Sequence, residues 1–291
     1  MSRKHPIIAV TGSSGAGTST VKRTFDNIFR REGITAAVIE GDAFHRYSRV
    51  EMKEKVAEAE GNRTWLSHFG PKANEWGVLE EQFAAYGRDG RCKTRLYLHN
   101  AAEAKPWNQP EGTFTPWFPT ATDTDLLFYE GLHGCVKTPE VDLVRHVDLK
   151  IGVVPIINLE WTQKIHRDTR DRGYSKEAVA DVILRRMYDY VHYICPQFGE
   201  TDINFQRVPV VDTSNPFIAR DIPSASESMT VIRFRNPRGI DFPYLLSMIG
   251  ESFMSRANTI VVPGGSMDLA MQLILTPMIL RLMDIKHAQH Q

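Results

Sequence analysis

The feature that most constrains this chain is a glycine-rich run, GSSGAGTST at residues 12–20, between an apolar segment and an amphipathic one. The apolar segment covers residues 6–10, and residues 21–29 repeat apolar side chains at helical spacing. Glycines let backbone N–H groups turn towards a polyphosphate, and a helix N-terminus adds unpaired donors and a favourable dipole. The order of strand, glycine-rich turn and helix therefore predicts a nucleotide-phosphate loop.

This loop departs at one position from the pattern G-x-x-x-x-G-K-[ST]. Thr18 stands where the pattern has the lysine that reaches the outer phosphates, whereas Ser19 occupies the place of the magnesium-binding hydroxyl. We therefore expect another cation to replace the lysine. The alternative is a glycine-rich turn in an ordinary α/β domain, and the absence of G-x-G-x-x-G disfavours a dinucleotide fold. The predicted nucleotide-binding residues are Gly12, Ser13, Ser14, Gly15, Ala16, Gly17, Thr18, Ser19 and Thr20.

Composition narrows the class of protein. With 291 residues, 42% of them hydrophobic, the chain can bury one large α/β core or two smaller ones. Lys+Arg and Asp+Glu both total 35, so no global field favours nucleic acid or an acidic membrane. Cys92, Cys135 and Cys195 form no CxxC pair, which argues against a zinc site or disulfide framework and favours a reducing cytoplasm. No stretch approaches the roughly 20 apolar residues of a membrane span, so we expect no membrane partner.

Apolar strands alternate with helical segments along the chain, which predicts a largely parallel sheet covered by helices on both faces. Residues 46–124 are rich in charge, glycine and aromatic residues and are predicted to form a substrate-side insert. The predicted strands are 35–39, 126–129, 149–154, 208–211, 229–234 and 259–262. The predicted helices are 50–60, 76–86, 157–172, 175–194 with Ser175 as the N-cap, and 267–283.

Two acids directly follow predicted strands. Asp42 and Glu130 come at strand ends, where an open α/β sheet presents groups to ligands. Phosphoryl transfer needs one acid near a metal and one that orients or deprotonates the attacking hydroxyl, and Asp42 suits the second role. Asp168, on a predicted charged helix, is a third candidate. As an alternative, Asp42 and Glu130 each cap a turn beside a glycine.

Basic residues that could replace the missing lysine lie on the predicted helix 157–172. Lys164, Arg167 and Asp168 are related by three and four residues, so they share one helix face and can converge on one ligand. A lid carrying replacement cations is the functional interpretation. The alternative is a solvated helix with internal ion pairs.

A second basic group follows Asp42. His45, Arg49 and Lys53 are spaced by four and would align on one face of a helix. Such a stripe beside a base would suit a phosphorylated acceptor, because Arg binds phosphate bidentately and Lys acts as a point charge. Tyr97 and His99 add a further polar patch whose signal is weak.

Six segments together resemble prokaryotic-type phosphoribulokinase: VTGSSGAGTST, IEGDAFHRY, LFYEGLHG, VVPIINLEWTQKIHRD, VVDTSNPFIARDIP and RFRNPRGIDFP. The resemblance runs from about residue 5 to 282. It implies a single adenylate-kinase-like P-loop kinase domain over 1–291, an α/β fold with a mostly parallel sheet flanked by helices and a helical lid at about 157–195. It also implies Mg²⁺- and ATP-dependent phosphorylation of D-ribulose 5-phosphate to the 1,5-bisphosphate. A uridine-kinase-like or pantothenate-kinase-like enzyme, or a non-catalytic ATP-sensing regulator, remains open.

The resemblance further implies roles for individual residues. Asp42 is the base, Glu130 the acid near magnesium, and Lys164 and Arg167 neutralise the transferring phosphoryl group, with Asp168 as a second metal or base carboxylate. The residues implied to hold the sugar phosphate are His45, Arg49, Lys53, Tyr97, His99 and Arg172. Activation by NADH, inhibition by AMP and octamers are also associated with this branch. The implied effector residues are Arg31, Arg233 and Arg256, with Arg186 as a relay.

Overall fold

A central sheet organises the fold in a computed structural model, which describes residues 4–12, 18–170 and 173–288, without the side chains of residues 18–20. In these residues eight strands form the central sheet, and β3 and β4 form a separate ribbon. The strands are β1 (Ile7–Gly12), β2 (Ala36–Glu40), β3 (Lys93–Thr94), β4 (Phe118–Pro119), β5 (Leu126–Gly131), β6 (Leu149–Val154), β7 (Ile203–Pro209), β8 (Ser228–Phe234), β9 (Phe253–Arg256) and β10 (Thr259–Pro263).

The strand order across the sheet is β2-β5-β1-β6-β7-β8-β10-β9. Neighbours from β2 to β7 are parallel, whereas β8, β10 and β9 extend the sheet with antiparallel pairs. The predicted mostly parallel α/β sheet is therefore confirmed, with an antiparallel extension that includes β9, which the sequence analysis missed. Because β1, β2, β5 and β6 are parallel, their carboxyl ends meet at one edge.

Helices cover the sheet. They are α1 (Thr18–Glu32), α2 (Arg49–Gly61), α3 (Trp76–Asp89), α4 (Ala101–Ala104), α5 (Ile157–Arg170), α6 (Lys176–Asp189), α7 (Gln197–Glu200), α8 (Phe242–Met248) and α9 (Met267–Ala288). Ser175 caps α6 by accepting from the Ala178 N–H, as predicted. The helix predicted to continue to residue 194 instead changes at Tyr190–Ile194 into a π-helix.

The start of α2 corrects one expectation. Ser48 and Glu51 form a reciprocal capping box, in which each side chain accepts from the backbone N–H of the other residue. The helix therefore begins at Arg49, and His45 lies before it. The expected alignment of His45 with Arg49 and Lys53 along one helix face is wrong for this reason.

Two apolar cores lie on opposite faces of the sheet. On one face α1 and α9 pack on the strands, with the Phe25 and Phe128 rings 4.6 Å apart. On the other face α3 packs on the first strands, where the Phe83 ring meets Tyr129 edge to face. Together they hold the strand ends of the parallel half in fixed relative positions.

The C-terminal helix α9 has the length of a membrane span but packs in the core of the fold. The segment Gly264–Ala288 is long and apolar enough to cross a membrane by length and composition alone. Its side chains Ala270, Ile274 and Ile279 are nevertheless buried in the core beside α1. The helix therefore serves as a core helix of the fold.

Candidate active site

A cleft of about 1270 Å³ opens at the carboxyl edge of the parallel strands. Its walls come from the ends of β1, β2, β5 and β6, from residues 96–99, and from α5 and α6. Many of the residues predicted from the sequence line it: Gly12, Asp42, His45, Tyr97, His99, Glu130, Lys164, Arg167 and Arg186. The fold therefore gathers residues from distant segments of the chain around one space.

Two glycines bring the acidic turns together. A Cβ on Gly41 would lie 2.6 Å from the Tyr129 hydroxyl and 2.9 Å from the Gly131 Cα, and a Cβ on Gly131 would lie 2.7 Å from the Gly41 Cα. The turn that carries Asp42 and the turn that follows Glu130 therefore touch through backbone alone. Any side chain at either glycine would push the two acids apart.

Glu130 lies in an acidic environment. It pairs in register with Glu40 of the neighbouring strand, and Lys22 binds the Glu40 carboxylate at 2.8 Å. Burial, followed by the charges of Glu40 and Asp42, raises the pKa of Glu130 to about 7, although Lys22 opposes the shift. A divalent cation at this edge would relieve the same repulsion.

The donor set fits magnesium. Among the described residues, no group of three or more His, Cys, Asp or Glu side chains could hold a metal ion by itself. Mg²⁺ is usually held by one or two carboxylates, several waters and substrate phosphates, and Glu130, at the edge of the sheet beside the end of β1, can supply one such carboxylate. The predicted ligand hydroxyl of Ser19 lies outside the described side chains, as do residues 13–17 of the loop.

Asp42 is held between two histidines. It lies on the short 3₁₀ turn Gly41–Phe44 directly after β2, where His45 Nε2 is 3.2 Å from Oδ1 and His99 Nε2 is 3.5 Å from Oδ2. Burial raises the pKa of Asp42, but the hydrogen bond from His45 and the nearby imidazoles outweigh it and hold the pKa below its usual range. Its side chain is 41% exposed, so an ionised carboxylate faces the cleft.

Two basic residues of α5, Lys164 and Arg167, both form ion pairs with Asp168 of the same helix. Asp168 is buried and accepts from Lys164 Nζ at 2.5 Å and from Arg167 Nε at 3.0 Å. Burial lowers the pKa of Lys164, and the Asp168 hydrogen bond opposes this shift. Arg186 of α6 also faces the cleft, with its guanidinium 5.6 Å from the Phe69 ring centroid. Three basic side chains from α5 and α6 therefore line the same cleft as the strand-end acids.

Among the described residues, two of the predicted sugar-phosphate residues, Arg49 and Lys53, do not line the cleft. Arg49 donates to the His99 carbonyl at 2.6 Å and pairs with Glu111 at 3.5 Å. Lys53 is exposed one helical turn further along α2. Arg172 lies outside the described residues. Arg49 thus supports the His99 segment from outside the cleft.

The predicted effector arginines lie on two faces of the sheet. Arg31 donates hydrogen bonds to two side chains of α9, which packs on the face that holds Ile232. Arg233 follows Ile232 in β8 and therefore points to the other face. Arg233 and Arg256 both pair in register with Thr259. Arg233 and Arg256 therefore flank Thr259 from the two strands on either side of β10, whereas Arg31 lies on the other side of the sheet.

Arg95 is a structural residue of the site that the sequence analysis missed. It donates to the carbonyls of Ala43 and His45, each at 2.7 Å, and its guanidinium lies 3.8 Å from the Phe114 ring centroid. Because these carbonyls belong to the Asp42 turn, Arg95 fixes that turn from the insert. No local sequence signal distinguishes it from the other arginines.

Gln197 was missed as well. Its buried amide oxygen accepts from Thr11 Oγ1 and the Cys135 N–H, both at 3.0 Å, and its amide nitrogen donates to the carbonyls of Leu132 and Tyr193. It thereby ties the strand before the phosphate loop to the segment after Glu130. Every hydrogen-bonding group of this amide is used, so its role is to hold the two segments in register.

Acids at parallel strand ends, cations on two facing helices and a glycine-rich loop between strand and helix define the active site of a phosphoryl-transfer enzyme. The chain belongs to the phosphoribulokinase/uridine kinase family, whose model matches residues 7–214. It is 64% identical to a phosphoribulokinase of Nitrobacter vulgaris, over 98% of this chain and 99% of that one. It is 66% identical to phosphoribulokinase 1 of Cereibacter sphaeroides, over 96% and 97%.

A solved structure shows the same architecture. The phosphoribulokinase from Rhodobacter spheroides superposes with a TM-score of 0.91 at 61% sequence identity, and the match covers 98% of this chain and 100% of that one. The antiparallel extension and C-terminal helix, which lie beyond the segment matched by the family model, are thus included in the structural likeness.

The glycine contact yields a test. Gly131→Ala should lower turnover by about 10²-fold or more, because the added Cβ overlaps Gly41 and displaces the Asp42 turn. Gly87→Ala is the matched control, since its added Cβ meets nothing within 4 Å inside α3, and it should raise stability by about 0.5–1 kcal/mol without changing turnover. Steady-state kinetics and thermal unfolding of both variants check this. Unchanged turnover in Gly131→Ala would show that the close contact does not set the acid geometry.

Proposed function

We propose that the chain transfers the γ-phosphoryl group of ATP to the 1-hydroxyl of D-ribulose 5-phosphate, forming ADP and D-ribulose 1,5-bisphosphate. The observation that carries this proposal is the Asp42 carboxylate, which lies between two histidines in the cleft of a chain 64% identical to a phosphoribulokinase. The hydroxyl oxygen forms a bond to phosphorus, the bond to the ADP oxygen breaks, and the hydroxyl proton passes to Asp42.

Asp42 acts as the general base. A carboxylate that stays ionised at neutral pH orients the acceptor hydroxyl and takes its proton as the new bond forms. The histidines on its two oxygens leave its geometry fixed before the acceptor binds.

Lys164 and Arg167 neutralise the charge of the transferring phosphoryl group in place of the lysine absent at Thr18. Asp168 holds both side chains in one geometry, which supports preorganisation of these cations. Glu130 and Ser19 would hold Mg²⁺, which when bound neutralises negative charge on the ATP phosphates. The helices α5 and α6, within the segment 157–195, act as a lid that brings these cations to ATP.

The acceptor phosphate is held by cationic and polar residues around Asp42. His45, Tyr97 and His99 line the cleft directly, and Arg49 stabilises the His99 segment through its carbonyl. Lys53, which does not line the cleft, and Arg172, which lies outside the described residues, belong to this group by the family resemblance alone. The segment 46–124 serves as the substrate-side insert, and its side chains supply most of this subsite.

Regulation by NADH and AMP, and assembly into octamers, are part of the same proposal. The placement of Arg31 on one face of the sheet and of Arg233 and Arg256 on the other supports an effector site completed by assembly. Arg186 lies in the cleft beside the lid cations, where it could relay the effect to ATP binding. The free cysteines support a cytoplasmic location.

An acceptor panel tests the function. ADP release should be measured with ATP, Mg²⁺ and each of D-ribulose 5-phosphate, D-ribulose, uridine, pantothenate and no acceptor, with and without NADH and AMP. We expect kcat/KM for D-ribulose 5-phosphate to exceed that for D-ribulose by at least about 10³-fold, because the phosphate-binding groups stay unpaired with the free sugar.

The other outcomes of this panel assign other functions. Preferred turnover of uridine or pantothenate would favour another kinase of the family, and ATP binding without turnover of any acceptor would favour a sensor. NADH without effect at any substrate concentration would reject the regulatory part alone.

If Lys164 and Arg167 replace the lysine absent at Thr18, removing either one should lower kcat. Lys164→Met and Arg167→Gln should each lower kcat by about 10²–10³-fold, the usual loss when one preorganised donor is removed. Arg170→Gln is the control, because Arg170 is exposed on the same helix and does not line the cleft. Steady-state kinetics at saturating substrates measure the effect. Near-normal turnover in the first two variants would mean that these cations do not replace the missing lysine.

A further inference from the structure

Asn74 is a buried amide behind the Asp42 turn. It lies just before α3, is 3% exposed, and pairs with His45 in an isolated antiparallel bridge. Its Nδ2 donates to the carbonyls of His68 at 2.8 Å and of Gly70 at 2.7 Å. Both amide protons are therefore used, which fixes Oδ1 as an acceptor on the opposite side.

The orientation of Asn74 determines where His45 carries a proton. His45 Nδ1 lies 2.8 Å from Asn74 Oδ1, so Nδ1 must be the donor in this hydrogen bond. His45 Nε2 lies 3.2 Å from Asp42 Oδ1. If only Nδ1 carried a proton, the Nε2 lone pair would face an ionised carboxylate. The arrangement is satisfied when both nitrogens carry protons.

The direct hydrogen-bond partners of the His45 ring are Asp42 and Asn74, and the neighbouring imidazole rings are neutral. Burial lowers the pKa of His68, whose ring centroid is 4.4 Å away, to about 3, and burial likewise lowers that of His133 to about 3. Both rings are therefore neutral near pH 7. The other charged or titratable groups facing His45 from packed elements are Arg95 on its carbonyl, Tyr97, His99 across Asp42, and Arg186 beyond His68.

We propose that Asn74 is a positioning residue for phosphoryl transfer, which fixes His45 Nδ1 as a donor and so presents a doubly protonated imidazolium to Asp42 and to the acceptor phosphate. This inference rests on the proposed function, because Asp42 there receives the acceptor proton. Asn74 is a neutral amide that touches neither substrate, and it acts by determining the protonation state of His45.

Two substitutions of Asn74 should act in opposite directions. Asn74→Leu removes the acceptor of the Nδ1 proton. A neutral His45 with its proton on Nε2 can then donate to Asp42, so His45 should become neutral at a lower pH than in the unmodified protein. Asn74→Asp keeps an acceptor and adds negative charge beside Nδ1, so the charge persists to higher pH. Both substitutions remove the donors to the His68 and Gly70 carbonyls, so both should lower the melting temperature.

The first measurement reads the protonation state of His45 directly. Long-range ¹H–¹⁵N NMR of the full chain with ¹⁵N-labelled histidine, assigned by the signal lost in His45→Gln, reports each ring nitrogen. At pH 7 we expect both nitrogens of His45 to be protonated in the unmodified protein and in Asn74→Asp. In Asn74→Leu we expect Nδ1 to be deprotonated.

The second measurement is the pH profile of kcat/KM for D-ribulose 5-phosphate. The alkaline limb should move to lower pH by about one unit or more in Asn74→Leu, with about a tenfold rise in KM at pH 7.5 and a smaller change in kcat. It should move to higher pH in Asn74→Asp. A loss of folded structure alone would lower activity without moving the limbs in opposite directions.

Ser67→Ala is the matched control. Ser67 Oγ donates to Asp189 at 2.6 Å on the other side of the same loop and is not among the cleft-lining residues of the described chain. It should lower the melting temperature and leave the His45 signals and pH profile unchanged. An unprotonated His45 Nδ1 in the unmodified protein, or pH limbs that move in the same direction or not at all, would overturn the inference. If no acceptor is phosphorylated, the proposed function fails, whereas the NMR result still decides the protonation state.

Discussion

The contact between Gly41 and Gly131 is the constraint on which the rest of the site depends. Parallel strands can bring the carboxyl ends of β2 and β5 side by side, but the strand spacing alone does not bring the turns beyond them together. The absence of both Cβ atoms lets the two turns meet, with the Tyr129 hydroxyl packed against them. Tyr129 belongs to the core under α3, so apolar packing on one face of the sheet determines the separation of two acids at its edge.

Two groups of opposite charge line the cleft. Glu40, Asp42 and Glu130 form the acidic group, and the cations of α5 and α6 form the basic group. Asp168 and Lys22 each partly neutralise their own group, which limits the repulsion that the cleft would otherwise carry without substrates. A nucleotide triphosphate with a divalent cation complements both groups at once, which suits the cleft to strongly charged substrates.

Much of the fold and part of the site follow from the sequence because they depend on local patterns. Asp42 and Glu130 could be predicted because each lies at the end of a strand. The contact between Lys164 and Asp168 could be predicted because the two residues are four apart on one helix. The remainder depends on tertiary contacts without a local signature. Asn74 precedes a helix and resembles an ordinary cap, while Arg95 and Gln197 bind backbone groups of distant segments. The spacing of four residues predicted that His45 belongs to α2, but the capping box at Ser48 starts the helix after it. Residue spacing alone does not determine where a helix begins.

The central claim is that Asp42 is the base rather than a cap of the turn after β2. Asp42→Asn keeps the size of the side chain and one hydrogen-bond acceptor but removes its basicity. Single-turnover phosphorylation and thermal unfolding on the same preparation test the claim most directly. The account predicts a rate at least about 10²-fold lower, with little change in ATP affinity or melting temperature. A clearly lower melting temperature with phosphoryl transfer largely intact would contradict it.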